Sequence, residues 1–151
     1  MADSSAVLLK KALSYLSRRE HYRAELQSKL SRIKGASADD IVAVLDGLEA
    51  EGLLSDARYI EAFIMSRQAK RYGPVRIKME LQQKKLNAES VARILAAVDI
   101  DWQQTAQQCL RKKFPQKPTS ISELAKQRNF LWRRGYSEEM IRKAITTDDD
   151  D

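Results

Sequence analysis

Residues 134–141, RGYSEEMI, decide the fold, because the same pattern occurs at residues 34–41 as KGASADDI and at residues 84–91 as KKLNAESV. Each copy starts with a basic residue, has Ser or Asn in fourth place and ends on Ile or Val. The copies begin at residues 34, 84 and 134, so the period is 50 residues. One such junction is common in helical proteins, but three at one spacing indicate an internal repeat.

In each copy the pattern predicts the end of one helix and the start of the next. A basic residue is favourable at the negative C-terminal end of a helix dipole. Gly35 and Gly135 can adopt the left-handed conformation that closes a helix. Ser37, Asn87 and Ser137 are the predicted N-caps of the helices that follow. Apolar residues four and eight positions further on then form one buried stripe.

Two more helices are predicted before each junction. The second helix of the second repeat opens at Gly73-Pro74, where the missing N–H of proline costs nothing. Residues 120–123, Ser-Ile-Ser-Glu, form a predicted capping box. The sequence therefore predicts an all-α fold of three tandem three-helix, helix-turn-helix-like repeats in an elongated or curved modular array. The predicted repeats are residues 1–54, 55–101 and 102–147, followed by an acidic disordered tail at 148–151.

The composition argues against an enzyme. His21 is the only histidine and Cys109 the only cysteine, so a His-based triad, a His-rich zinc site and an internal disulfide are all disfavoured. Cys109 lies on the apolar side of a helical pattern, as a small core residue would. Paired carboxylates lie at helix starts, where dipole stabilisation explains them. We expect no catalytic residue, no metal and no cofactor. The absence of a long apolar run and of a basic leader predicts a cytoplasmic protein.

The charge distribution indicates a polyanionic partner. The net charge is +6, with 8 basic and 8 acidic residues in 1–54, 9 and 6 in 55–101, and 10 and 7 in 102–151. The positive charge thus lies in the second and third repeats. Basic clusters recur near predicted helix ends, either as a solvated face or as a binding surface, and the recurrence favours binding. They are Arg18, Arg19 and Arg23; Arg67, Lys70, Arg71, Arg76 and Lys78; Arg111, Lys112 and Lys113; and the pairs Lys84–Lys85 and Arg133–Arg134.

Five aromatic residues lie close to these clusters in the sequence. Core packing is the favoured interpretation for Tyr59 and Tyr136. Tyr22, Tyr72 and Trp132 are the more open candidates for base stacking.

Several stretches resemble the RecX family of bacterial recombination regulators, in the family's order and across nearly the whole chain. They are YLSRREHYRAEL at 15–26, GLLSDARY at 52–59, GPVRI at 73–77 and NFLWRRGYS at 129–137. The family usually has Ser, an apparent N-cap, where this chain has Tyr22. The resemblance implies a modulator that binds the RecA–DNA filament along its groove, inhibits ATP hydrolysis and strand exchange, and limits filament growth. It implies a role in recombination, DNA repair and the SOS response.

Two function classes follow from these observations. The first is the filament modulator, expected to be a monomer that binds single- or double-stranded DNA weakly and without sequence specificity, and no membrane. The second is a helix-turn-helix DNA-binding transcriptional regulator, since such proteins also use basic three-helix units. The third helix of each repeat is short and mostly apolar, which favours a protein that does not read bases.

Overall fold

The computed structural model describes the backbone of residues 2–147 and the side chains of residues 4–147. This part of the chain forms nine α-helices and no strand, which confirms the predicted all-α fold of three successive helix triplets. The helices are α1 (Ala2–Arg18), α2 (Arg23–Ser31), α3 (Ala38–Ala50), α4 (Asp56–Ala69), α5 (Pro74–Gln83), α6 (Ala88–Ala97), α7 (Trp102–Lys113), α8 (Ile121–Arg134) and α9 (Glu138–Thr146). The predicted acidic tail at 148–151 lies outside the described residues.

The chain packs as two compact units, Met1–Ala62 and Phe63–Asp151. The division falls inside α4, so this helix contributes residues to both units. The three-repeat boundaries at 54/55 and 101/102 therefore stay a prediction about sequence organisation.

The three junctions have the predicted helix-ending and helix-starting geometry. Ser37, Asn87 and Ser137 each accept a hydrogen bond from the backbone N–H three residues further on, at 3.1, 2.9 and 3.2 Å. Gly35 and Gly135 have φ angles of 82° and 100°, in the left-handed region that glycine adopts without steric cost. The second junction has Lys85 in the same place, and this residue also adopts a positive φ.

Two other helix starts differ in detail from simple capping rules. Tyr22 does not cap α2 through its side chain, and the Asp56 carboxylate instead accepts from the Arg23 N–H at 2.6 Å. At α8, Ser120 accepts from the Glu123 N–H as predicted. The backbone N–H of Thr119 donates to the Glu123 carboxylate at 2.7 Å. In a standard capping box the N–H of the N-cap residue itself makes this bond, so here the donor lies one residue earlier.

Each unit has its own apolar core. In the first unit, residues of α1, α2 and α3 meet in a core that includes Leu8, Leu26, Leu30 and Leu45. In the second, α7, α8 and α9 bury Leu110, Leu131, Tyr136 and Ile141 around Cys109, and Ile77, Leu81 and Val91 are buried in α5 and α6. The burial of Cys109, Tyr59 and Tyr136 confirms their predicted core positions. Burial also raises the pKa of the Cys109 thiol, which keeps it protonated and unreactive.

The single histidine is a core residue of the first unit. His21 is 1% exposed; its Nδ1 lies 3.1 Å from the Arg19 carbonyl and its Nε2 lies 2.8 Å from the Lys29 Nζ. A carbonyl only accepts and an ammonium only donates, so Nδ1 carries the proton and Nε2 is unprotonated. Burial lowers the pKa of His21 below its ordinary value, and the charges of Arg19 and Lys29 lower it further.

We expect the first unit to lose stability as the pH falls below about 6.5, the pKa of unfolded histidine. Because the pKa of His21 is lower in the folded chain, the unfolded chain takes up the proton at a higher pH. The free energy of unfolding then falls by up to about 1.4 kcal/mol for each pH unit. The stabilisation is complete above that pH and is lost as the pH falls toward the folded pKa. The single imidazole Cε1–H signal gives this pKa directly by NMR. A measured value at or above 6.5 would contradict the prediction, and the His21→Gln variant should show a flatter stability profile between pH 5 and 7.

Candidate partner-binding groove

The second unit is built around a close contact between the start of α5 and the end of α8. The Gly73 N–H donates to the Arg134 carbonyl at 2.8 Å, and the Val75 N–H donates to the Gly135 carbonyl at 3.0 Å. The unpaired N–H groups of one helix therefore bond the unpaired carbonyls of another, and their dipole ends attract. A Cβ on Gly73 would lie 2.3 Å from the Gly135 oxygen, and one on Gly135 would lie 2.2 Å from the Arg76 Cβ. Only glycine fits at either position.

Side chains complete this helix joint. The buried Tyr136 hydroxyl donates to the Arg71 carbonyl at 2.7 Å, and burial raises the pKa of Tyr136, so the hydroxyl keeps its proton. The guanidinium carbons of Arg76 and Arg134 lie 4.1 and 4.0 Å from the centroid of the Tyr72 ring, within the range of cation–π attraction. Arg134 also donates to the Lys70 carbonyl. The joint thus fixes where these two arginines lie.

An open groove of about 710 Å³, here called the α5–α8 groove, lies beside the joint. Its lining residues are Arg67, Val75, Arg76, Met79, Glu80, Gln83, Lys84, Trp132, Arg133 and Gly135. Three large apolar side chains in it are unusually exposed, Trp132 at 62%, Val75 at 53% and Met79 at 51%. Exposed apolar side chains grouped in one concave surface are typical of a protein-binding site.

The charges of the groove are arranged around one carboxylate. Glu80 forms an ion pair with Arg67, with the Nε of Arg67 3.0 Å from a carboxylate oxygen, and accepts a hydrogen bond from Arg76 at 2.9 Å. Four basic side chains and one acidic side chain line the groove, so the net charge of its lining is +3. The groove therefore offers apolar contacts together with a net positive charge.

A second cavity, here called the Lys113 cleft, shares Arg76 and Arg133 with the groove. It has a volume of about 420 Å³ and is lined by Arg76, Lys113, Phe114, Lys126, Asn129, Phe130, Arg133 and Arg134. Five of these are basic, and no acidic side chain of residues 4–147 is among them. The structure thus brings members of three predicted clusters, Arg76, Lys113 and Arg133–Arg134, onto one cavity of the second unit.

The other predicted basic residues lie elsewhere. Arg18, Arg19 and Arg23 belong to the first unit, where Arg19 pairs with Glu25 at 2.9 Å and Arg23 pairs with Asp46 at 2.8 Å and with Glu49. In the second unit, Lys70, Arg71, Lys78, Lys85 and Lys112 line neither the groove nor the cleft.

Arg111 has a structural position at the end of α7. Its guanidinium lies within 3.4 Å of the carbonyls of Phe114, Gln116 and Ile145 and of the Gln127 amide oxygen. These bonds hold the α7–α8 loop and the end of α9 together. Charge clustering in the sequence does not distinguish such an arginine from one that faces a partner.

Sequence reasoning missed Val75 and Met79 of the groove and Phe114 and Phe130 of the cleft. Val75 and Met79 lie four residues apart on α5, so they share a helix face, whereas Ile77 and Leu81 form its buried stripe. The sequence did hold a signal for them, because Val75 and Met79 are apolar although they lie outside the buried stripe of α5. Of the open aromatic candidates, Trp132 is exposed and lines the groove, while Tyr22 and Tyr72 are half-buried.

The described residues hold no group of three or more His, Cys, Asp or Glu side chains that could bind a metal ion. No helix among them is both long enough and apolar enough to cross a membrane.

Comparison with known proteins identifies the family. The family model described as RecX, second three-helix domain, matches residues 55–95, and that of the third three-helix domain matches residues 99–145. The regulatory protein RecX of Pseudomonas fluorescens strain Pf-5 is 41% identical over 95% of this chain and 93% of its own length. That of Leptothrix cholodnii is 41% identical over 89% and 85%. The crystal structure of RecX from Lactobacillus salivarius, 22% identical, has the same fold, with a TM-score of 0.81 over 96% of both chains. The chain therefore belongs to the RecX family of regulatory proteins.

Proposed function

We propose that this protein binds the RecA–DNA filament and inhibits its ATP hydrolysis, its strand exchange and its growth. It would thereby modulate recombination, DNA repair and the SOS response. The observation that supports this most is the α5–α8 groove, in a chain that belongs to a family of regulatory proteins. Exposed Trp132, Val75 and Met79 in a groove of net positive charge are suited to a protein surface that offers carboxylates around apolar side chains.

The distribution of ion pairs favours the second unit as the docking surface. Arg19 and Arg23 of the first unit already pair with three carboxylates, so their charges are largely satisfied within the chain. We propose that the second unit provides the main contact and that the protein acts as a cytoplasmic monomer without catalytic activity of its own. Weak DNA binding without sequence specificity would come from phosphate contacts of its basic residues.

The experiment that tests this function is a titration of the protein into RecA bound to single-stranded DNA, with ATP hydrolysis as the readout. Hydrolysis should fall with rising protein concentration, because bound protein limits filament growth and blocks its groove. Addition before filament assembly should inhibit more strongly than addition afterwards. Hydrolysis that stays constant across the titration would contradict the proposal.

The same preparation tests the alternative of a helix-turn-helix transcriptional regulator. A transcriptional regulator would bind a particular naked duplex far more tightly than random duplex, because its recognition helix reads base edges. The filament modulator should show no such preference and should bind the filament more tightly than either duplex.

A further inference from the structure

We propose that the Lys113 cleft is a binding site for an unpaired nucleic-acid strand, with its phosphates on the basic rim and a base on the aromatic floor. The inference deepens the proposed function, since the filament contains such a strand, but its test requires no recombinase. The site is distinct from the apolar docking surface of the α5–α8 groove and meets it at Arg76 and Arg133.

The cleft has a strongly positive lining. Its five basic side chains line one cavity, and none of its lining residues among 4–147 is acidic, while Arg76 also pairs with Glu80 of the α5–α8 groove at 2.9 Å. Lys126 interacts electrostatically with Glu123, whose carboxylate also accepts two hydrogen bonds from Thr119. Lys113, Lys126 and Arg133 are exposed. A concave surface of one sign attracts and holds a polyanion, because its charges add at the same place.

Two arginines of the cleft are held in place by contacts within the chain. The Arg76 guanidinium donates to the Arg133 carbonyl at 3.2 Å and lies over Tyr72. Arg134 is held by the Lys70 carbonyl and the other contact with Tyr72. Both guanidinium groups are therefore ordered before any ligand binds, which reduces the entropy lost on binding.

The floor of the cleft selects an unpaired strand. Phe114 and Phe130 pack edge-to-face, with ring centroids 5.6 Å apart, and both are half-buried against the core of α7, α8 and α9. An unstacked base can pack on such a ring. A duplex keeps its bases stacked inside, and an acidic peptide offers carboxylates without flat rings. Only an unpaired strand uses the rim and the floor together.

The test is the binding of a short fluorescent oligothymidylate to the full chain, measured by anisotropy across a range of salt concentrations. The variant Lys113→Gln/Lys126→Gln should bind about tenfold more weakly, since it loses two phosphate contacts. The slope of log affinity against log salt should become shallower by about 1.4, at roughly 0.7 per phosphate for a single strand. An abasic oligonucleotide of equal length should bind the unmodified chain at least about fivefold more weakly, because it has no base to stack.

The matched control is Arg93→Gln/Arg142→Gln, which removes the same charge from exposed helical positions of the same unit that lie outside the cleft and outside the predicted basic clusters. It should change affinity less than about twofold. Equal losses in the two variants would mean that only net charge matters and would overturn the proposal. So would an unchanged affinity of the cleft variant, equal binding of the abasic strand, or equally strong competition by polyglutamate. Because no recombinase is present, these outcomes leave the filament proposal to its own test.

Discussion

Replacing Gly135 by alanine should lower the free energy of unfolding of the second unit by about 2–5 kcal/mol. A left-handed conformation costs an L-residue about 1–2 kcal/mol, and Gly135 has a φ of 100°. The new methyl group would also lie 2.2 Å from the Arg76 Cβ and 2.7 Å from the Arg76 nitrogen. Overpacking of this kind costs about 1–3 kcal/mol more, because α5 has to move away from α8.

Denaturant unfolding followed by tryptophan fluorescence measures this effect, because both tryptophans, Trp102 and Trp132, lie in the second unit. Alanine substitutions at Gly35 and Gly47 in the first unit separate the backbone strain from the overpacking. Circular dichroism follows the unfolding of these two variants. Gly35 has a φ of 82° with open space around it, so Gly35→Ala should cost only the strain. Gly47 lies in α3 without either constraint, and Gly47→Ala should add about 0.5–1 kcal/mol of stability. A cost at Gly135 no larger than that at Gly35 would contradict the tight joint.

The double variant Trp132→Ala/Arg133→Ala should raise the concentration needed for half-inhibition of RecA ATP hydrolysis by at least about 30-fold. Tryptophan and arginine are the residues that most often dominate binding energy, and the loss of even one such residue costs about 2 kcal/mol or more, which is about 30-fold in affinity. Trp132 is 62% exposed, so its loss should hardly affect folding. The prediction rests on the proposed function. Trp132 lines the α5–α8 groove and not the Lys113 cleft, whereas Arg133 lines both, so Trp132→Ala alone tests the groove.

The control on the same helix is Ile121→Ala, because Ile121 is 88% exposed and does not line the groove. Its half-inhibitory concentration should stay within about twofold of the unmodified chain. The variant Arg18→Ala/Arg19→Ala/Arg23→Ala removes three charges from the first unit, and we expect it to lose less inhibition than the groove variant. If it loses as much, or if the groove variant loses none, then the second unit is not the main contact.

The parts of the fold that follow from local rules could be predicted from the sequence. Ser37, Asn87 and Ser137 cap their helices because capping depends only on residues three positions apart. The glycine at the end of α8 takes the left-handed conformation for an equally local reason. The departure at Tyr22 was also visible, because a tyrosine cannot replace the short capping side chain.

The parts that depend on how helices dock could not be predicted. Nothing in the sequence near Gly73 indicates that its backbone approaches that of Gly135, 62 residues away. The same applies to Glu80, which two arginines share, and to Arg111, whose position in a basic run resembles that of a binding residue although its guanidinium bonds carbonyls of the chain itself. Charge patterns therefore predict which parts of the chain are basic, whereas tertiary contacts decide which of those residues line the groove and the cleft.

The joint between α5 and α8 makes ligand affinity and conformational stability one linked equilibrium. Val75 and Met79 come from one helix and Trp132 and Arg133 from the other, so the complete surface exists only while the two helix ends are bonded. Any ligand of this surface must therefore favour the bonded state, and at a free concentration one hundred times its dissociation constant it adds about 2.7 kcal/mol to that state. The converse also holds: a substitution at Gly73 or Gly135 that separates the two helix ends weakens ligand binding although neither residue need contact the ligand. The apparent affinity falls in proportion to the fraction of molecules in which the helix ends are still bonded.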